Sequence, residues 1–294
     1  MITIFTTPKD FKNEFEIIQK NAINSWRMLS NDIEIIIMGN SIGAKDMAES
    51  IQAVYIKNVP SSENDVPTVS GLFKTAERNA RHKLLCYINA DIILPKNFLD
   101  TISVLKNVKK KFLAVGHRWD LDVKEEINFY NPKKENDFWN YAKTVSIKHA
   151  PTGIDYFIFN KNTFRKIPDL VIGRFGWDNW LLWYARRNFM ALIDLSLSVF
   201  AIHQNHTYIF KGFKSSSSVV LSKDGLLNKK LIQNRKLNLS DTNYIFKNGT
   251  LKKKKSREFI NRNLGKLPII FPEFGVLLVI YKKTYRRIKK YFNR

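Results

Sequence analysis

Short apolar runs recur along the first part of the chain: ITIFT (2–6), IEIIIMG (33–39), which holds a continuous β-branched run, AVYIKNV (53–59), KLLCYINA (83–90) and KFLAVG (111–116). A run that is apolar without alternation suits a strand covered on both faces. Amphipathic stretches lie between them. Phe15, Ile18, Ala22, Trp26 and Leu29 fall at helical spacing, residues 69–81 read as another helix, and PKNFLDTISVLKNV opens a third with proline at its start. This alternation predicts an α/β fold with a mostly parallel central sheet, Rossmann-like, flanked by helices and joined by right-handed crossovers. Open sheets of this kind bind ligands beyond the carboxyl ends of their strands. After residue 117 the pattern loosens into polar and aromatic sequence. IDYFIF (154–159) then predicts a strand, WDNWLLWYARR (177–187) a helix, and ALIDLSLSVFAIHQNH (191–206) two short strands ending at a histidine pair.

Charge divides the chain. Of a net +23, residues 1–206 carry +5 and residues 207–294 carry +18. The expected organisation is an α/β domain over 1–206 and a basic extension over 207–294, serving as a lid and a membrane-contacting helix. SSSS (215–218) reads as a mobile segment and KKKK (252–255) as a solvated one. So basic a segment attracts an anionic surface. Near the C-terminus the apolar stretch 267–281 is broken by Pro268, Pro272 and Glu273, too short to span a bilayer but able to lie among its headgroups. The single cysteine, Cys86, excludes an internal disulfide and fits a reducing compartment. The start MITIFTTPKD lacks the features of a secretory signal. The expected location is cytoplasmic, peripheral on the inner face of the plasma membrane.

The run LLCYINADIIL (84–94) is interrupted by Asn89-Ala90-Asp91. At a strand end, residues i and i+2 point to the same side, toward the edge where ligands sit. A carboxylate there can hold a hard divalent ion such as Mg²⁺ or Mn²⁺; a turn or helix cap is the structural alternative. Asp178, at the start of the 177–187 helix, is stabilised as an anion by the helix dipole or serves as an ordinary cap. His203 and His206, three apart, are candidate metal ligands or loop hydrogen-bonders.

The segment GLFKTAERNARHKLLCYINADIIL resembles the donor-site block of family-2-type glycosyltransferases of the GT-A fold, through Ala76, Arg78, Asn79 and Asn89-Ala90-Asp91. Asn89 stands where the family has an aspartate. TGIDYFIFNKNTFRKIPDLVIGRFGWDNWLLW (152–183) is similar to the acceptor-side region of the galactosyltransferase type, with Gly153 and Asp155 in one element and Gly176-Trp177-Asp178-Asn179 in the other, one acid fewer than the family pattern. The resemblance covers roughly residues 1–206. It implies a metal-dependent, inverting transfer of a sugar from a nucleotide-diphosphate donor, a UDP-sugar first, to a hydroxyl of a glycan or lipid-linked acceptor. It implies donor contacts from Thr6, Thr7, Pro8, Asn40, Arg78, Asn89, Asp91, Gly153, Asp155 and Trp177. It also implies a Mn²⁺ or Mg²⁺ ion on Asp91 and His206, with His203 as a further candidate, and Asp178 as general base. Arg118 is expected to meet phosphate or to pair with Asp120 or Asp122.

Three other classes remain. The basic charge suggests a nucleic-acid-binding protein, but the aromatics of 1–206 occupy apolar periodic positions, so no nucleic acid is expected. A sugar nucleotidyltransferase would carry a glycine-rich phosphate loop after its first strand, and TTPKDF has no glycine. A pseudoenzyme would be consistent with Asn89 and the thinned acids around Asp178.

Overall fold

The computed structural model describes residues 1–206 and 216–275. The first residue of the serine run and most of the proposed membrane tail, 276–294, lie outside the described residues. In chain order the elements begin β1 (Thr3–Thr6), α1 (Glu14–Arg27), β2 (Glu34–Met38), α2 (Ala44–Ser50), β3 (Val54–Ile56), α3 (Val69–Asn79), β4 (Leu84–Ile88), β5 (Ile92–Ile93), α4 (Phe98–Leu105) and β6 (Phe112–Val115). They continue β7 (Arg118–Leu121), α5 (Pro132–Val145), β8 (Ile147–Lys148), β9 (Tyr156–Asn160), α6 (Trp177–Arg187), β10 (Ala191–Asp194) and β11 (Ala201–Gln204). Beyond residue 215 come α7 (Ser216–Val220), α8 (Lys223–Ile232), β12 (Tyr244–Lys247), β13 (Thr250–Lys253) and α9 (Arg257–Ile270).

The fold is mixed α/β, as the alternation predicts. A nine-stranded sheet has the order β13-β12-β10-β6-β9-β4-β1-β2-β3. Its pairings are parallel except where β9 runs between β4 and β6 and where β13 closes a hairpin on β12. The apolar runs lack alternation because both faces are covered. Ile35 and Ile37 of β2 face one cluster with Ala22, Trp26 and Phe98; Ile36 and Met38 face the other with Leu72, Phe73 and Trp180.

Two features place the functional edge. Strands β1, β2 and β4 run in parallel, so Thr7, Asn40 and Asn89 follow their carboxyl ends on one side of the sheet. Antiparallel β9 brings the residue before its amino end to that same side, and the Asn89 N–H donates to the Asp155 carbonyl at 2.9 Å. A second, four-stranded sheet, β5-β11-β7-β8, stands against this edge. The interrupted run therefore has a topological cause. The chain leaves the large sheet at Ile88 and turns, with Ile92 N–H donating to Asn89 O at 3.2 Å. It then enters the small sheet, where Ile92 pairs with His203.

The basic segment beyond residue 206 contributes to the same core. Strand β12 continues the large sheet beside β10, and Lys254 Nζ reaches Asp194 Oδ2 at 3.2 Å and Thr242 Oγ1 at 2.6 Å. Lys254 thus departs from the expectation of a fully solvated lysine run, whereas Lys252, Lys253 and Lys255 are exposed. Among the described residues no helix is long and apolar enough to cross a membrane.

Candidate active site

Asp91, His203 and His206 converge. Asp91 Oδ2 lies 3.3 Å from His206 Nε2 and 3.7 Å from His203 Nε2, and one ligand atom from each residue lies within 4.8 Å of the others. Ligands on one small divalent ion at about 2.0–2.2 Å stand roughly 3 Å apart, so these side chains need little adjustment to share a cation. The other Asp91 oxygen, Oδ1, is buried without a hydrogen-bond partner, which fits an acceptor built for a ligand or ion. Burial opposes ionisation of Asp91. The charge of His203, the hydrogen bond and charge of His206 and the charge of Arg118 outweigh it and lower its pKa to about 2.

The cluster is held from behind. Asp120 on β7 places Oδ1 3.1 Å from His203 Nδ1, leaving Nε2 directed at Asp91. Its other oxygen is 2.6 Å from His149 Nδ1. Burial resists the charge on Asp120, but the His203 and His149 imidazoles and Arg118 carry its carboxyl far below the usual range. A carboxylate behind a ligating histidine fixes both tautomer and ring orientation. Of the two acids expected to meet Arg118, the structure selects Asp120, 3.0 Å from Nε; Asp122 instead accepts from Asn205. Arg118 also donates from Nη1 to Asp155 Oδ2 at 3.1 Å.

Asn89 joins this chain rather than the cation cluster. Its Nδ2 donates to Asp155 Oδ1 at 2.7 Å and its Oδ1 accepts from the Tyr87 hydroxyl at 3.1 Å. An amide is the side chain that can donate to Asp155; a carboxylate there would confront another carboxylate. The departure from the family pattern at Asn89 thus has a local structural reason.

Asp178 occupies the first turn of α6. Gly176 precedes it with φ 75°, a left-handed conformation that β-carbon-bearing residues rarely adopt and that turns the chain into the helix. Burial raises the Asp178 pKa to about 7; backbone N–H groups of Asn179 and Asp178 pull it down, Asp155 pushes it up and Arg118 partly offsets that. Gly153 lies against His149, where an added Cβ would come within 2.3 Å of the ring, so this glycine permits a close approach of chain to histidine.

The other predicted residues divide. Thr6 ends β1 with its hydroxyl buried and unpartnered; Thr7 abuts Gly39; Pro8 O accepts from Ser41; Asn40 is exposed beside them. All four lie at the functional edge. Trp177 is instead buried in the core, edge-on to Tyr87 with centroids 5.4 Å apart and 5.1 Å from the Phe157 ring. Arg78 is at the wrong end. It sits in the last turn of α3, which leads into the amino end of β4, whereas Asp91 follows the carboxyl end. Arg78 lines a cleft of about 510 Å³ on α3 with Pro60, Ser70, Lys74 and Asp169, and none of the other predicted residues lines it.

Lys9 and His149 belong to the site and were not singled out from sequence, and Asp120 was expected there only as a partner of Arg118. Lys9 is anchored through its backbone to the buried Gln19, whose amide accepts from Lys9 N–H at 2.6 Å and donates to Lys9 O at 3.0 Å. Its Nζ lies 4.0 Å from the Phe15 ring centroid, and that ring packs 5.0 Å from His206. Burial lowers the Lys9 pKa, while Asp91 and Glu14 oppose the shift.

No family model and no curated protein matches the sequence. Solved structures do resemble it. Staphylococcus aureus TarS in complex with UDP-GlcNAc is similar at 11% identity over 41% of this chain, with TM-score 0.32; the match spans 35% of the TarS chain. Glucosyl-3-phosphoglycerate synthase from Mycobacterium tuberculosis, in complex with Mn²⁺, UDP and glucosyl-3-phosphoglycerate, is similar at 13% identity over 86% of this chain and 87% of that one, with TM-score 0.46. Mannosyltransferase PcManGT from Pyrobaculum calidifontis, in complex with GDP-Man and Mn²⁺, is similar at 10% identity over 70% of this chain and 57% of that one, with TM-score 0.43. The functional reading is carried by this chain's own side chains.

Proposed function

We propose that this chain is a GT-A glycosyltransferase that moves a sugar from a nucleotide-diphosphate donor to an acceptor hydroxyl with inversion at the anomeric carbon. One observation carries the reading. A cation-ready cluster, Asp91, His203 and His206, shares a sheet edge with Asp178, a carboxylate whose pKa is raised to about 7. Asn89, Asp155, Arg118 and Asp120 form a chain of hydrogen bonds and ion pairs beside the cluster, and the charges of Asp155 and Arg118 are felt at Asp178.

Asp91, His203 and His206 would hold the divalent ion, and two imidazoles with one carboxylate suit Mn²⁺ better than Mg²⁺, which prefers oxygen. Bound there, such an ion supplies Lewis-acid stabilisation for a departing diphosphate. Lys9 adds a fixed positive charge on the same side. Thr7, Pro8 and Asn40 are placed to border the base and ribose. Asp178 accepts the proton of the acceptor hydroxyl as its oxygen bonds the anomeric carbon and the carbon–oxygen bond to diphosphate breaks. A general base with a pKa near the working pH is effective in that role. Glycan and lipid-linked hydroxyls are the acceptors proposed.

The test is a thermal-shift panel of UDP-glucose, UDP-GlcNAc and GDP-mannose, each with Mn²⁺ or EDTA. The reading expects stabilisation by at least one donor that needs Mn²⁺. Equal melting temperatures throughout would contradict it.

A further inference from the structure

Helix α9 turns an apolar face to solvent. Ile260 is 49% and Leu264 55% exposed, and Pro268, one further helical turn on, is also exposed. At 100° per residue these three and Arg257 fall on one side of the helix, while the opposite side is anchored on α6 through Trp183 Nε1 donating to Ile269 O at 2.8 Å. Beyond the end of α9 lies an exposed aromatic group. Phe271 stacks on Phe189 at 5.1 Å and meets Phe274 edge-on at 5.9 Å; Phe189 is 84% and Phe274 47% exposed. The Arg187 guanidinium lies 5.2 Å from the Phe271 ring and pairs with Glu273, the acid nearest these rings. Exposed Lys252, Lys253, Lys255 and Arg257 flank the start of the helix.

We propose that the outward face of α9, with Phe189, Phe271 and Phe274, docks on an anionic lipid bilayer. Two features select that occupant. The exposed helical groups are aliphatic and the terminal ones aromatic, the mixture that settles at the boundary between headgroups and acyl chains. The charge nearby is mainly basic: Lys252, Lys253, Lys255 and Arg257 are exposed at the start of the helix, and the sequence 207–294 holds 22 Lys/Arg against 4 Asp/Glu, a balance that complements anionic headgroups. The helix is 14 residues long and contains Pro268, so it lies along a surface rather than crossing it. After residue 275 the sequence continues VLLVIYKKTYRRIKKYFNR, apolar and then basic, in keeping with the same surface. The inference is independent of the chemistry at Asp178 and Asp91.

Flotation of the full-length chain with phosphatidylglycerol-containing vesicles and with pure phosphatidylcholine vesicles tests it. The wild type is expected to float with the anionic vesicles, less in high salt, and hardly with the neutral ones. The Phe189→Asp/Leu264→Asp variant, and the milder Phe189→Ser/Leu264→Gln variant should the first not fold, are expected to bind the anionic vesicles at least ~10-fold more weakly with unchanged circular dichroism. Absence of wild-type flotation overturns the proposal. So does equal flotation of folded variants, which would assign binding to basic charge elsewhere. So does a wild-type dimer made monomeric by the variants without vesicle binding, which would make this face a contact between copies.

Discussion

Asp91 and Asp178 are two carboxylates at one edge of one sheet, and their neighbours push them in opposite directions. Asp91 looks at two imidazoles, with Arg118 behind them, and its pKa falls to about 2. Asp178 is half-buried and feels Asp155, and its pKa rises to about 7. The residue type alone therefore does not define a role. The imidazoles and Arg118 hold one acid ionised and fit for a metal, and burial makes the other a proton acceptor poised near neutrality.

The sharpest way to break this division is Asp178→Asn. Sugar transfer should fall ~10²–10⁴-fold, the range of a positioned general base, while Mn²⁺-dependent nucleotide binding by calorimetry stays as in the wild type. Near-wild-type turnover would remove Asp178 from the base role. Asp120→Asn probes the other side. With the His203 orientation loosened, Mn²⁺ affinity should drop ~10–100-fold, as for other partners of metal-binding histidines; unchanged affinity would make Asp120 a purely structural residue.

Smaller effects sharpen the contrast through stability. Asn89→Asp removes a donor to Asp155 and sets two carboxylates face to face, so the folded state should lose about 1–3 kcal/mol in denaturant titrations, more at pH 8 than at pH 5. Equal stability would mean that the amide is not needed. The raised Asp178 pKa also has a sign. The folded state keeps this proton where the unfolded chain, near 3.8, has released it. Stability associated with Asp178 is therefore present below about pH 4 and lost as pH rises to about 7. The melting temperature of Asp178→Asn should gain on that of the wild type across this window. A constant difference between them would argue against the raised pKa.

Much of this was legible in the sequence. Doubly covered strands leave uninterrupted apolar runs, so β1, β2, β4 and β6 were visible, as was α6 through its dense tryptophans. The Asp91–His203–His206 cluster was legible because Asp91 breaks such a run and the histidines end another. The resemblance misled at Arg78, because an Ala/Arg/Asn grouping near the end of α3 belongs to the opposite edge of the sheet from Asp91. Trp177 adjoins the site in sequence, yet its side chain packs into the core. Lys9, Asp120 and His149 are single polar residues in polar surroundings, with no periodicity to mark them; only the pairing of β7 with β11 and β8 brings Asp120 to the histidines. The hairpin β12–β13 did leave a signal. Asn248-Gly249, both at positive φ, sit between YIFK and TLKK, a two-residue turn signature that the high charge obscured.

The central claim is that Asp91, His203 and His206 share a cation. Electron paramagnetic resonance of Mn²⁺ titrated into the wild type and into Asp91→Asn and His206→Ala, each with and without UDP, tests it most directly. The wild type should bind Mn²⁺ more tightly when UDP is present, and either substitution should weaken that binding more than ~100-fold, beyond what an outer-shell partner contributes. The same Mn²⁺ titration curve in all three proteins would contradict it.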